Sequence, residues 1–251
     1  MINDRLLSQA ADIIKSSKEI VVFTGAGSST QSGIADFRSE GGLWSRYDPS
    51  IYANYYYFLQ DPSKFWEMHN ELVDILSEAQ PNLIHYSVVE LEKLGKVKAI
   101  ITQNIDGLHQ RAGSIAFKDI PIFELHGSYL TLECIACKKE FQFKEVNTKN
   151  VKFPICECGG YIKPKVVLFG ESLPYDVLES AIQACKTCDS FIMVGSSLLV
   201  SPANLLPQIA KQSGAKVIFI NRDNTIMDDL ADVFLKGNGG EILTDLIRLL
   251  R

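Results

Sequence analysis

Four apolar runs in this chain stop abruptly in small or polar residues, and this pattern constrains the fold more than any other feature. Residues 19–23 give way to Thr24-Gly25-Ala26-Gly27, residues 97–101 to Thr102-Gln103-Asn104-Ile105-Asp106, residues 190–194 to Gly195-Ser196-Ser197, and residues 216–220 to Asn221. Short β-branched and aromatic runs of this length read as buried strands. Amphipathic helical periods lie around them, over residues 4–17, 82–94, 175–186, 203–213 and 240–251. Strands alternating with helices predict a mainly parallel sheet covered on both faces. In such a sheet a ligand lies off the carboxyl ends of the strands. Four polar ends aimed at one crevice suit one large polar ligand, such as a nucleotide.

The first of these ends carries Gly25-Ala26-Gly27, a G-x-G, but Thr30 stands where a dinucleotide fingerprint wants a third glycine. Alone, the motif fits a tight turn as well as it fits a loop whose N–H groups meet a phosphate. The stretch runs on through Gly33-Ile34-Ala35-Asp36-Phe37-Arg38, so a loop is expected there in place of a helix packed directly against the strand.

The net charge of −5, without a basic stripe, argues against nucleic acid as the main ligand. No apolar run approaches the ~18 residues of a membrane span, and the N-terminus has no signal-peptide core, so a cytoplasmic protein is expected. Residues 40–60 turn aromatic, and a helix opening at Asp61-Pro62 carries Phe65, Trp66, Met68, Leu72 and Leu76, a stripe that reads as core. Between residues 128 and 165 cysteine, lysine and glutamate replace the apolar periods. There Cys134-Ile135-Ala136-Cys137 and Cys156-Glu157-Cys158 supply four thiolates, the donor set of a closed, structural zinc site. The remaining pair, Cys185 and Cys188, falls on a helical apolar face and reads as core.

The expected architecture is α/β: a Rossmann-like doubly wound parallel sheet with a second, smaller zinc-binding and helical domain. Residues 1–39, 81–127 and 166–251 form the nucleotide-binding part; a helical module of residues 40–80 and a zinc module of residues 128–165 form the small one. Of the four histidines, His69, His85 and His109 sit in helical patterns and read as packed side chains. His126 closes a strand before Gly127 beside the polar strand ends, which suits a general base. Asn104 and Asp106 offer an amide and a carboxylate at a strand end.

In this order the motifs resemble the sirtuins, NAD-dependent protein-lysine deacylases, over roughly residues 5–245. The resemblance rests on Gly25-Ala26-Gly27 with Ser29, on residues 33–38, on residues 103–106, on His126-Gly127, on the two cysteine pairs, on Val166-Val167-Leu168-Phe169-Gly170-Glu171, on Gly195-Ser196-Ser197-Leu198 and on Asn221. It implies that Gly25, Ala26, Gly27, Ser29, Asp36, Phe37 and Arg38 form the NAD-binding loop. Gln103 would face the ribose near His126. Asn104, Ile105 and Asp106 would line the nicotinamide pocket, and Gly195, Ser196, Ser197 and Asn221 would hold the adenosine half. Val167 and Phe169 would wall an acyl-lysine tunnel, with Gly170, Glu171, Leu198 and Val200 flanking the substrate backbone of an acylated protein or peptide as an added strand.

The implied reaction is attack of the acyl oxygen on the ribose, loss of nicotinamide, and His126 acting as base on a ribose hydroxyl, with Asn104 and Asp106 also in the catalytic group. The same cleft would serve a protein ADP-ribosyltransferase or an NAD hydrolase, the alternative reading. Ala35 stands where the family commonly has proline. His69 and Leu72 stand where members that remove acidic acyl groups carry a Tyr-x-x-Arg pair, so neutral acyl groups are expected here.

Overall fold

The computed structural model describes residues 4–37, 41–114 and 120–251. In chain order its elements are α1 (Asp4–Ser16), β1 (Ile20–Thr24), α2 (Pro49–Tyr52), α3 (Tyr55–Gln60), α4 (Ser63–Glu78), α5 (Leu83–Lys93), β2 (Val97–Thr102), α6 (Leu108–Ala112) and β3 (Ile122–Glu124). They continue with β4 (Gly127–Cys134), β5 (Glu140–Gln142), β6 (Ile162–Val166), α7 (Tyr175–Thr187), β7 (Ser190–Val194), α8 (Leu206–Gln212), β8 (Lys216–Asn221), β9 (Val233–Lys236) and α9 (Gly239–Leu250).

Six strands form one sheet in the order β3-β2-β1-β7-β8-β9, every pair parallel. Alternation decides which face each residue covers. Ile20 and Val22 of β1, with Ile218 and Ile220 of β8, pack under α1, α5 and α9. Val21, Phe23, Val217 and Phe219 point the other way, under α7 and α8. Both faces are buried, which is why these strands read as continuous apolar runs. The strand order reverses between β1 and β7, and the four polar ends predicted from sequence belong to the four adjacent strands β2, β1, β7 and β8.

The second sheet is antiparallel, β5-β4-β6. It has few apolar residues of its own. Its core is shared with the helices of residues 49–78: Tyr129, Leu132, Ile162 and Val166 meet Phe58, Phe65, Trp66 and Leu76 in one cluster.

Helix ends follow local chemistry. Asn82 caps α5, its side chain accepting from Ile84 N at 2.8 Å, and Gly95 at φ 72° closes the helix. α4 begins one residue later than Pro62 suggests, at Ser63, with Asp61 Oδ1 accepting from Ser63 N at 2.9 Å. The helix expected over residues 203–213 opens with a 3-10 turn, Ala203–Leu205, and becomes α-helical only from Leu206.

Candidate active site

Off the carboxyl ends of β2, β1, β7 and β8 lies a cleft of about 1100 Å³, walled on its far side by residues of the small sheet and of α4. At its floor the chain leaves β1 and turns twice as 3-10 helix, over Ala26–Ser28 and Thr30–Ser32. Packing dictates the glycines here. A Cβ on Gly25 would lie 2.8 Å from Gly195 O, and one on Gly27 2.9 Å from the same atom. A Cβ on Gly195, itself at φ 66°, would overlap Ser28 N. Two loops therefore close on each other at van der Waals limit, and they use one another's backbone groups. Gly25 N donates to Val194 O at 3.1 Å, Gly27 N to Gly195 O at 2.9 Å, Ser28 N to Gly25 O at 2.9 Å and Ser29 N to Ala26 O at 3.1 Å. These four N–H groups are therefore spent inside the protein, and those of Gly25 and Gly27 hold the two loops together.

Behind this loop sits a polar cluster. Asn104 Nδ2 faces Gly25 O at 3.2 Å and the hydroxyls of Ser28 and Ser29, each at 3.0 Å. Ser29 Oγ donates to Asp106 Oδ2 at 2.6 Å, and Asp106 Oδ1 accepts from Leu108 N at 2.9 Å. Burial raises the Asp106 carboxyl above its ordinary value, against the pull of those two donors. Asn104 and Asp106 are both buried. The amide is thus fixed with its NH₂ toward the protein.

His126 borders the cleft one strand further on. Its Nδ1 lies 2.9 Å from Gln103 O. A carbonyl can only accept, so Nδ1 carries the proton and Nε2 is left as the basic nitrogen. Burial pushes this imidazole below its ordinary value, partly offset by the Gln103 carbonyl, so the neutral form prevails near neutral pH. Gln103 also ties the two halves of the floor together, its Nε2 donating to Ser196 Oγ at 3.2 Å.

Most residues singled out from sequence come together here. Ala26, Gly27, Asp36, Phe37, Gln103, Asn104, Ile105, His126, Gly195, Ser196, Ser197 and Asn221 line the cleft, as do Val167, Phe169, Gly170, Glu171 and Val200. Gly25, Ser29, Asp106 and Leu198 stand one layer behind, the last fully buried at φ 54°. Arg38 lies outside the described residues. The Glu171 carboxylate turns inward, to Lys163 Nζ at 2.9 Å and Leu168 N at 2.8 Å.

Part of the wall was legible only as core: Phe65 and Met68 share one face of α4 with His69 and Leu72 and line the cleft with them. Trp44 stacks on Phe37 at 5.1 Å and faces Phe169 at 6.2 Å, which builds an aromatic roof. Asn82, read only as a helix start, also donates to Ser28 O at 2.8 Å and Ser32 Oγ at 2.9 Å, and so holds the β1 loop. The other histidines are packed. His69 stacks on Phe65 at 5.0 Å, His85 Nδ1 accepts from Asn82 N at 3.2 Å, and His109 Nε2 lies 3.0 Å from Thr24 Oγ1. Burial lowers all three, His85 to about 4 and the other two to about 3.

The four cysteines of the small sheet converge, all Sγ atoms within 4.8 Å of one another. Cys134 Sγ and Cys158 Sγ are 3.5 Å apart, Cys137 Sγ and Cys156 Sγ 3.8 Å. Four ligands at the ~2.3 Å of a zinc–thiolate bond in a tetrahedron stand about 3.8 Å apart, so the donor set fits one zinc ion. Gly160 keeps the space, since a Cβ there would sit 2.8 Å from Cys134 Sγ. Cys185 and Cys188 are buried core thiols, pushed up by burial.

A parallel sheet with its cleft at the point of strand reversal, a fixed imidazole on the rim and a metal-ready module on one flank define a nucleotide-using α/β enzyme. The sequence narrows that class: residues 25–202 match the Sir2 family, and the chain belongs to it. It is 47% identical over 245 residues to the NAD-dependent protein deacylase 2 of Archaeoglobus fulgidus, covering 96% of this chain and 94% of that protein. A solved Sir2 enzyme superposes with a TM-score of 0.91 at 46% identity, covering 99% of this chain and 98% of the other. A Sir2 protein solved with a deacetylated p53 peptide and 3'-O-acetyl ADP-ribose gives a TM-score of 0.90 at 35% identity, over 96% of this chain and 97% of that one.

Proposed function

We propose that this chain is an NAD-dependent protein-lysine deacylase, which moves an acyl group from lysine to ADP-ribose and releases nicotinamide. The observation that carries the reading is His126: its tautomer is fixed by Gln103 O, and its Nε2 is left as a base on the rim of a cleft. That cleft has two differently built halves. The polar half, with Asn104 and the hydroxyl–carboxylate cluster behind it, suits an amide and ribose hydroxyls. The aromatic half, under Trp44 and Phe169 and against α4, suits an aliphatic lysine stem and its acyl cap. NAD supplies an anomeric carbon with a good leaving group. The protein orients the acyl oxygen toward it, shields it from water under Phe37, and takes a ribose proton at His126 Nε2.

Residues 1–39, 81–127 and 166–251 would hold NAD, with Gly195, Ser196, Ser197 and Asn221 around the adenosine half. The backbone of residues 170–173 and 198–200 would pair with the substrate as an added strand. The four cysteines would hold zinc and supply folding energy to the small sheet, with no chemical step there. Among the described residues no helix is long and apolar enough to cross a membrane.

The product tests the reading. With acetylated peptide and NAD, mass spectrometry should find acetyl-ADP-ribose in step with nicotinamide. Free acetate without acetyl-ADP-ribose, at the earliest times, would contradict acyl transfer.

The α4 wall also sets the acyl class. It presents Phe65, Met68, Leu72 and a His69 held neutral by burial, with no cation among them. A buried acyl carboxylate would have no partner there, at a cost of several kcal/mol. Succinyl-lysine peptide should therefore turn over about 100-fold more slowly than acetyl-lysine peptide, by comparison of kcat/KM. Equal rates would refute this account of the pocket.

A further inference from the structure

We propose that Lys163 is a positioning residue for the acyl-peptide: its buried ammonium, paired with Glu171, fastens both ends of the loop that edges the substrate groove. The inference rests on the deacylase reading and deepens it by naming what holds the groove in shape. Lys163 lies on β6 and is buried, which is rare for lysine and unfavourable unless the charge is fully partnered. The partners are specific. Lys163 Nζ donates to Val166 O at 2.6 Å and to Glu171 Oε2 at 2.9 Å, and the same carboxylate oxygen accepts from Leu168 N at 2.8 Å. One ammonium–carboxylate pair therefore holds residues 166, 168 and 171, while the cleft-lining residues Val167, Phe169 and Gly170 lie between those fixed points.

The other attachments of this loop lead to the rest of the site. Val167 N donates to His126 O at 2.9 Å. Phe169 N donates to Ala53 O at 2.8 Å and Phe169 O accepts from Tyr55 N at 3.0 Å, so this edge is used up on the small-domain side. Gly170, exposed and at φ 92°, is where the chain turns toward the groove. Glu171 edges the cleft, but its carboxylate is turned to Lys163 Nζ and Leu168 N. Its work is internal, and the groove it shapes would be read by backbone pairing. Loss of the pair frees the loop to sample other arrangements, and a peptide must then order it on binding. The residues proposed to hold the adenosine half of NAD, Gly195, Ser196, Ser197 and Asn221, follow or end β7 and β8, on other strands than this loop.

Lys163→Met should raise the peptide KM at least tenfold, with kcat at saturating peptide changed less than threefold and the KM for NAD unchanged. Lys163→Arg, which keeps a cation, should restore the peptide KM to within about threefold. Removing one partner of a buried pair also weakens the fold, so the double variant Lys163→Met/Glu171→Leu separates the two effects. It carries no buried charge and should regain thermal stability, yet its peptide KM should stay at least tenfold high, because Leu168 N and Val166 O have lost their partner. Amide hydrogen exchange of residues 166–171 should rise in Lys163→Met and in the double variant, whatever reaction the enzyme performs. A peptide KM within twofold of the parent in either variant, or a KM that recovers together with stability in the double variant, would overturn the proposal. Absence of peptide-dependent turnover in the parent protein, with faster exchange in the variants, would instead indict the deacylase reading.

Discussion

Replacing His126 with alanine should all but abolish deacylation, with kcat expected to fall by about 10²–10⁴-fold, while NAD binding should stay measurable by calorimetry. The expectation follows from two facts. The ring is oriented by a backbone carbonyl at 2.9 Å, so its basic nitrogen is already placed and needs no reorganisation. The polar cluster of Asn104, Ser29 and Asp106 forms independently of His126, through bonds among residues 25–29 and 104–108, so the pocket survives the substitution. pH gives a second reading. His126 sits below the usual 6.5 because burial disfavours its charged form. A base works unprotonated, so activity should fall only as pH drops through that lowered value. The acid limb of kcat/KM should therefore lie below 6.5. The same shift means the folded state binds this proton less readily than the unfolded chain, so His126 withdraws stability as pH falls through its unfolded value. Undiminished turnover in the alanine variant would remove His126 from the mechanism.

Stripping the metal site, by chelation or by Cys156→Ser, should melt the small sheet and abolish activity while the six-stranded sheet persists. The reason is the distribution of apolar mass. The large sheet is buried on both faces by its own helices. The small sheet instead borrows its core from α2–α4, and its far end is closed only where the four thiols meet around Gly160. Structural zinc in small modules contributes apparent free energies of about 10–16 kcal/mol, far more than three short strands can replace. Hydrogen exchange should rise across residues 127–166 and, through the shared core, across α4. Protection should persist in β1, β2, β7 and β8. Unchanged exchange in the small sheet after complete metal removal would refute the structural role.

Much of this was legible in the chain because parallel strands advertise themselves. β1, β7 and β8 are apolar on both faces, and their polar ends mark the cleft directly. His126 was legible for the same reason, as a titratable residue at a strand end. What stayed hidden depends on partners distant in sequence. β9 is four residues long, and only its register against Ile218–Asn221 makes it a strand. The strands β4 and β6 interleave Glu133, Lys163 and Lys165 with their apolar residues, and the apolar half of their pattern is completed by α4, more than fifty residues before Tyr129 and Leu132. The α4 stripe was legible as core and, at His69 and Leu72, as acyl-facing by family resemblance; that Phe65 and Met68 also line the cleft is decided by where the small sheet docks. The glycines of residues 25–27 were visible, but not their cause, which is the close approach of Gly195. Glu171 was visible as part of a motif, but not that its carboxylate is taken by Lys163.

The central claim is that one cleft couples NAD cleavage to an acylated lysine. Nicotinamide release, followed with and without acetyl-lysine peptide, tests it most directly. Release that requires peptide and matches the loss of acetyl groups one for one is the predicted result. Equal release in the absence of peptide would contradict the account and make the cleft that of an NAD hydrolase.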